Sequence, residues 1–127
     1  MASTTFTGPV TSLNGFIGAV TGAITGNVTG ILIESNQALS GAGAVSITTG
    51  LTSLTTTGSA QALTLADGTV GQTKIIVHTV DGGSAVLTPT TKIGYSTITF
   101  TNVGDSVFLI YTATGWAVVG SRGVTIA

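Results

Sequence analysis

Cysteine is absent from the 127-residue chain, which excludes disulfides, thiolate nucleophiles and thiolate metal sites. Charge is almost absent as well. Three cations and four carboxylates make up 6% of the residues, against about 25% in ordinary globular domains, and leave a net charge of −1. They stand singly at Glu34, Asp67, Asp81, Asp105, Lys74, Lys92 and Arg122. No basic stripe exists to neutralise phosphates, so nucleic acid is not an expected partner. With so few lysines and only two prolines, strand edges carry little protection against pairing with other strands. The edges are therefore expected to be occupied by sister chains in a homo-oligomer. A barrel closing on itself is the alternative that also removes edges.

Polarity comes instead from threonine and serine, interspersed with 19 glycines. A hydrophobic fraction of 43% with so little net charge is the opposite of a disordered composition, so the chain should fold. Threonine, valine and isoleucine are stiff at χ1 and suit a pleated surface, which predicts an all-β protein. No run holds helical periodicity beyond a turn or two.

The chain divides near residue 33 into an arm, 1–33, and a body, 34–127. The arm has no charged side chain, and a short repeat runs through it: Gly18-Ala19-Val20-Thr21, Gly22-Ala23-Ile24-Thr25, Gly26-Asn27-Val28-Thr29, Gly30-Ile31-Leu32. Laid out as a strand, glycine alternates with an aliphatic residue on one face, and the other face is small and mostly polar. Glycine within a strand marks close approach of another backbone. Alone, such an arm cannot offset an ordering cost of roughly 1–2 kcal/mol per residue. It is expected to lie against sister arms or a partner's groove or sheet edge, with Phe6, Val10, Phe16, Ile17, Val20, Ile24 and Val28 as contacts. A glycine-zipper membrane span over Gly15–Ile33 competes with this reading. Its central Thr21, Thr25, Asn27 and Thr29, and ends without Trp, Tyr, Lys or Arg, weigh against it. Residues 1–14 also lack the basic start of a secretory signal.

The body reads as short strands separated by turns, the pattern of a sandwich or barrel. Strands are predicted at 44–49, 52–57, 61–65, 74–80, 85–88, 97–101, 106–112 and 116–119. The Asp-Gly pairs at 67–68 and 81–82 are hairpin signals. By alternation, Ile75, Val77, Ile98, Phe100, Val107, Leu109, Tyr111, Ala117 and Val119 should face inward.

No constellation for catalysis emerges. His78 is the single histidine, and without cysteine it cannot complete a zinc site. It reads as a strand residue at a surface or subunit contact. Asp67, Asp81 and Asp105 each sit beside or next to glycine in turn-like sequence, which their backbone tolerance explains; a weak calcium site is the functional alternative. No G-x-S-x-G elbow surrounds a serine, and the glycine beads lack the lysine of a phosphate loop. Asn27-Val28-Thr29 fits repeat chemistry better than glycosylation. Tyr111 and Trp116 are expected to pack in the core or at an interface rather than stack on a sugar. Catalytic, metal and cofactor residues are thus all expected to be none.

Two stretches of the body carry a resemblance. Ala60-Gln61-Ala62-Leu63-Thr64-Leu65-Ala66-Asp67-Gly68-Thr69-Val70-Gly71-Gln72-Thr73-Lys74 is similar to a motif in small structural modules of marine tailed phages. Gly104–Tyr111 followed by Gly115–Gly120 resembles their closing hairpin, and the arm resembles the G-N-V-T-G repeats of phage fibre and head-surface proteins. The resemblance implies a trimeric, antiparallel, jelly-roll-like β-sandwich in a virion structural protein with no enzymatic activity. It further implies a capsid decoration (cement) protein on the outer surface of the capsid, its arm laid on the major capsid protein. A head or tail fibre or adhesin tip is the alternative, with the loops 81–84 and 102–105 meeting a host glycan. The shortness of the chain and the scarcity of repeats beyond Leu32 favour decoration over a fibre shaft.

Overall fold

In the computed structural model, residues 7, 8 and 25–127 are described. The chain comprises a unit through Ile31 and a compact unit, Leu32–Ala127. Of the first, the described residues Thr7, Gly8 and Thr25–Ile31 are exposed and belong to no strand. The second is all-β. Its strands are β1 Asn36–Ser40, β2 Gly43–Val45, β3 Leu51–Thr55, β4 Gln61–Leu65, β5 Thr73–Val80, β6 Ala85–Pro89, β7 Ile98–Phe100, β8 Ser106–Thr112, β9 Gly115–Arg122 and β10 Thr125–Ile126.

The strands form two five-stranded sheets, and from β1 to β6 successive strands alternate between them. Sheet A has the order β1-β3-β5-β8-β9, and sheet B has the order β10-β7-β6-β4-β2. β1, β3 and β5 run parallel to one another, as do β2, β4 and β6. Parallel neighbours need a crossover rather than a tight turn, and here each crossover is the strand in the opposite sheet. Residues 36–89 therefore form three stacked turns of a flattened coil. The first turn advances from Asn36 to Leu51, and the second from Leu51 to Ile75. Only the last part is antiparallel: β7 returns along β6, β8 along β5, and β8–β9 form a hairpin.

The expected antiparallel, jelly-roll-like sandwich is thus corrected to two mixed sheets. The Asp-Gly signals are corrected too. Asp67-Gly68 lies between β4 and β5, and Asp81-Gly82-Gly83 between β5 and β6, so both turn a corner between sheets instead of closing a hairpin. Corners satisfy the same backbone preferences as hairpin turns, so local sequence does not separate the two.

The core lies between the sheets. Leu54, Ile76, Val107, Leu109 and Trp116 from sheet A meet Val45, Leu63, Leu65, Leu87, Ile98 and Phe100 from sheet B. Four inward expectations are corrected. On β5 the buried face is Lys74, Ile76 and His78, leaving Ile75 exposed and Val77 on the outer side. On β9 Ala117 pairs with outward Ile110, and an irregularity opposite Phe108/Leu109 leaves Val119 58% exposed. Alternation fixes two faces without saying which is inward, and a bulge reverses the count beyond it. Ile98, Phe100, Val107 and Leu109 are buried as expected, and Tyr111 packs on the core.

Corners stack as closely as strands. Gly41 N donates to Thr55 O at 2.9 Å, and Ala60 N donates to Ser84 Oγ at 2.8 Å. Gly83 adopts φ +143°, and a Cβ there would lie 2.4 Å from the carbonyl of Gly58. Only glycine lets these two corners meet. Gly94 shares the positive φ, at +78°, with open space around it. Urea unfolding should show Gly94→Ala destabilising by about 1 kcal/mol and Gly83→Ala by at least ~2 kcal/mol. Equal midpoints for the two variants would remove the close approach from the account.

Candidate functional site

Three features of the body hold the residues that sequence reasoning singled out: a buried polar knot, a buried lysine and an aromatic pair. Each is local to one end of the stack of turns. The knot sits where the corners 56–60 and 81–84 meet.

Thr56, 2% exposed, is its hub. Its Oγ1 lies 3.0 Å from Nε2 of the fully buried His78, accepts from Gly82 N at 2.8 Å and reaches Gly83 O at 3.1 Å. The backbone of His78 donates to Asp105 O and accepts from Gly104 N, both at 2.8 Å. His78 is therefore a core residue, which corrects its expected place at a surface or subunit contact.

Asp105 staples the loop before β8. One carboxylate oxygen accepts from Thr101 N at 2.7 Å, Asn102 N at 2.9 Å and Thr101 Oγ1 at 3.3 Å. Burial alone would raise its pKa, but these hydrogen bonds and the nearby His78 together hold the carboxyl below the usual carboxylate range. The set Thr56, His78 and Asp105 resembles a nucleophile, base and acid on paper. Its geometry differs: the Asp105 oxygen is occupied by the loop, and His78 Nδ1 is buried without a hydrogen-bond partner among the described residues. A triad requires that nitrogen to be held by the acid. With Thr56 and His78 sealed from solvent, the arrangement fixes two corners and presents no nucleophile to a substrate.

At the opposite end of the turns, Lys74 points into the body with no exposed surface. Nζ donates to Thr49 O at 2.8 Å and Thr49 Oγ1 at 3.0 Å. Burial pushes its pKa down to about 8. The amine thereby ties the corner after β2 to the start of β5. Gln72 does the same through Ile47 O. Beside them an open cleft of about 310 Å³ is lined by Glu34, Thr48, Thr49, Gln72 and Thr73, with a single carboxylate.

Trp116 is fully buried and donates Nε1–H to Ala66 O at 2.8 Å. Tyr111 meets it edge-on, with ring centroids 5.1 Å apart and planes at 72°. The pair packs the end of the core, one of the two placements expected for it, and Trp116 offers no ring face to a sugar. The three aspartates are spent internally. Asp67 accepts from Thr91 N and Thr91 Oγ1, each at 3.0 Å, and Asp81 accepts from Gly83 N at 2.9 Å. Among the described residues no three His, Asp or Glu side chains gather where a metal ion could sit. The loops 81–84 and 102–105 thus use their acids to hold their own shape.

Of the arm contacts, Phe6, Val10, Phe16, Ile17, Val20 and Ile24 lie outside the described residues, whereas Val28 is 64% exposed. Most of the glycine-zipper stretch also lies outside them, and among the described residues no helix is long and apolar enough to cross a membrane. Sequence reasoning passed over Ile31, Leu32 and Ile33 as contacts. They are 90%, 78% and 86% exposed immediately ahead of β1, a run of three large aliphatic side chains in water. Their signal was present as an uninterrupted apolar triplet next to the first charge, Glu34.

No family model matches the chain, and no curated protein is similar to it.

The lysine yields a pH test. A base with a lowered folded-state pKa binds fewer protons folded than unfolded, so stability rises with pH between the two values. Stability should climb by about 2–3 kcal/mol from pH 8 to pH 10. Above pH 10 Tyr95, whose phenol burial pushes up to about 12, acts in the opposite direction. Urea titrations across this range should show the climb in the native chain and a flat profile in Lys74→Met. A climb of the same size in the variant would assign it to another group.

Proposed function

We propose that the chain is a virion structural protein without catalytic activity, a capsid decoration protein that sits as a trimer on the outer capsid surface. The observation that carries this reading is the exposed triplet Ile31-Leu32-Ile33, continued upstream by Val28 in a segment with no charge. Apolar side chains left in water next to a compact body mark a surface that another molecule covers. The resemblance of residues 60–74 and 104–120 to phage structural modules directs that cover to a capsid.

In this reading the body, 34–127, makes the trimer and the arm, 1–33, lies on neighbouring copies of the major capsid protein. Phe6, Val10, Phe16, Ile17, Val20, Ile24 and Val28 supply contacts together with the triplet. Affinity comes from strand pairing and apolar burial, and three arms on one trimer multiply it through effective concentration. Bridging several capsid subunits in this way stabilises the shell. With almost no ionic groups in the arm, binding should be nearly insensitive to salt.

Co-sedimentation with capsids lacking this protein tests the reading. The full chain should bind, with less than about a twofold change in affinity on raising salt tenfold. Removal of residues 1–30 combined with Leu32→Ser and Ile33→Ser should abolish binding while leaving the β circular-dichroism signal intact. Undiminished binding by that variant would refute the arm's role.

A further inference from the structure

The outward faces of the two sheets differ. In sheet B the strands alternate, with Leu63, Leu65, Ala85 and Leu87 buried and Ala62, Thr64, Val86 and Thr88 outward, so the outer face is small and hydroxylated. In sheet A, β5 and β8 do not alternate in polarity. β8 reads Val107-Phe108-Leu109-Ile110 and the middle of β5 reads Ile75-Ile76-Val77, apolar on both sides. Near-continuous apolar strands belong to sheets covered on both faces. Sheet B supplies one cover. On the other side Ile75 and Phe108 remain 37% and 38% exposed.

The exposed side has a defined shape. The register places Leu51, Ile75, Phe108 and Gly120 in one row across four strands. A Cβ at Gly120 would find nothing within 4 Å, so a notch lies beside the Phe108 ring. The notch belongs to an open groove of about 290 Å³ lined by Ile75, Val77, Ser106, Phe108, Gly120 and Ser121. A projecting ring and an empty notch stand side by side.

We propose that this outer face of sheet A is where copies of the chain meet, the Phe108 ring of one copy seated in the groove beside Gly120 of the next. This rests on the reading that the protein works as an oligomer, and it names the surface. The occupant follows from charge. The strand positions on this face are neutral up to Arg122, which pairs with Ser106 at the end of β9. A charged partner would lose hydration there with no counter-ion to meet. A second copy brings the same neutral face, with hydroxyls at Ser53, Thr73 and Ser106 that both donate and accept. Ring and notch lie side by side, a pair that two copies can exchange reciprocally or pass from copy to copy, and the trimer of the proposed reading requires the second form with a three-fold rotation.

Sedimentation equilibrium of the full chain, with two variants and two labels, tests this. The native chain should sediment as an oligomer. Phe108→Gln combined with Ile75→Thr should sediment as a single copy with an unchanged β circular-dichroism signal, since both side chains point outward. Because the chain has no cysteine, Ser106→Cys and Thr64→Cys each provide a unique thiol. Maleimide labelling of the first should slow at least about tenfold as concentration rises into the oligomeric range, whereas the second, on sheet B, should not change; this arm needs no disruptive substitution. An oligomer whose mass survives the double substitution, or two thiols that react alike, overturns this surface and leaves capsid binding untouched. A native single copy overturns both the surface and the trimer. Protection of Ser106→Cys only on capsids assigns the face to the shell and overturns the proposal. Dissociation by the variant in a protein whose native form ignores capsids supports the surface and removes the decoration reading.

Discussion

Parallel pairing of successive turns forces the chain to change sheets after every strand from β1 to β5, and this alternation governs most of what is unusual in the molecule. Each change of sheet needs a corner, and each corner brings peptide groups to an end of the core where no strand neighbour satisfies them. A chain nearly free of ions answers with neutral groups. Thr56 links His78 to Gly82 and Gly83, Gln37 spans its own turn by accepting from Ser46 N and Thr52 Oγ1, and Ser84 takes the Ala60 N–H. The abundance of Thr, Ser and Gly is therefore a property of the corners as well as of the strands. The same demand brings two of the seven charged residues inside: Lys74 and Asp105 serve backbone groups of loops.

Strand content was legible in the sequence, and strand pairing was not. The stretches 61–65 and 106–112 coincide with β4 and β8, because the first alternates leucine with small residues and the second is a short apolar run, each bounded by turn signals. β1, Asn36-Gln37-Ala38-Leu39-Ser40, went unread since its side chains are mostly polar and only its register with β3 makes it a strand. Pairing depends on contacts 15 to 24 residues apart, from Asn36 to Leu51 and from Leu51 to Ile75, and no local pattern encodes them. Aspartate-glycine pairs misled for the same reason. On β5 both faces are apolar around a lysine, so alternation alone does not separate Ile75 and Val77 on one side from Lys74 and Ile76 on the other. The two Thr49 acceptors that make Lys74 an inward residue come from a corner of the preceding turn.

Lys74, His78 and Asp105 are enclosed, and Asp67 and Asp81 hold loops, while much of the outward strand surface is apolar or hydroxylated. The outer face of sheet A is apolar across β5 and β8, that of sheet B is small and hydroxylated, and an exposed aliphatic triplet precedes the first strand. The proposed assembly role draws on these surfaces, with hydrogen-bonded edges and apolar contact in place of ionic attraction.

The stacked parallel turns can be read directly by nuclear magnetic resonance on the isotopically labelled chain. The account predicts amide-to-α-proton contacts of a parallel ladder joining Leu51–Leu54 to Ile75–His78, and Leu63–Leu65 to Leu87–Pro89. Antiparallel contacts across either pair, or β3 adjoining β4 within one sheet, would contradict it.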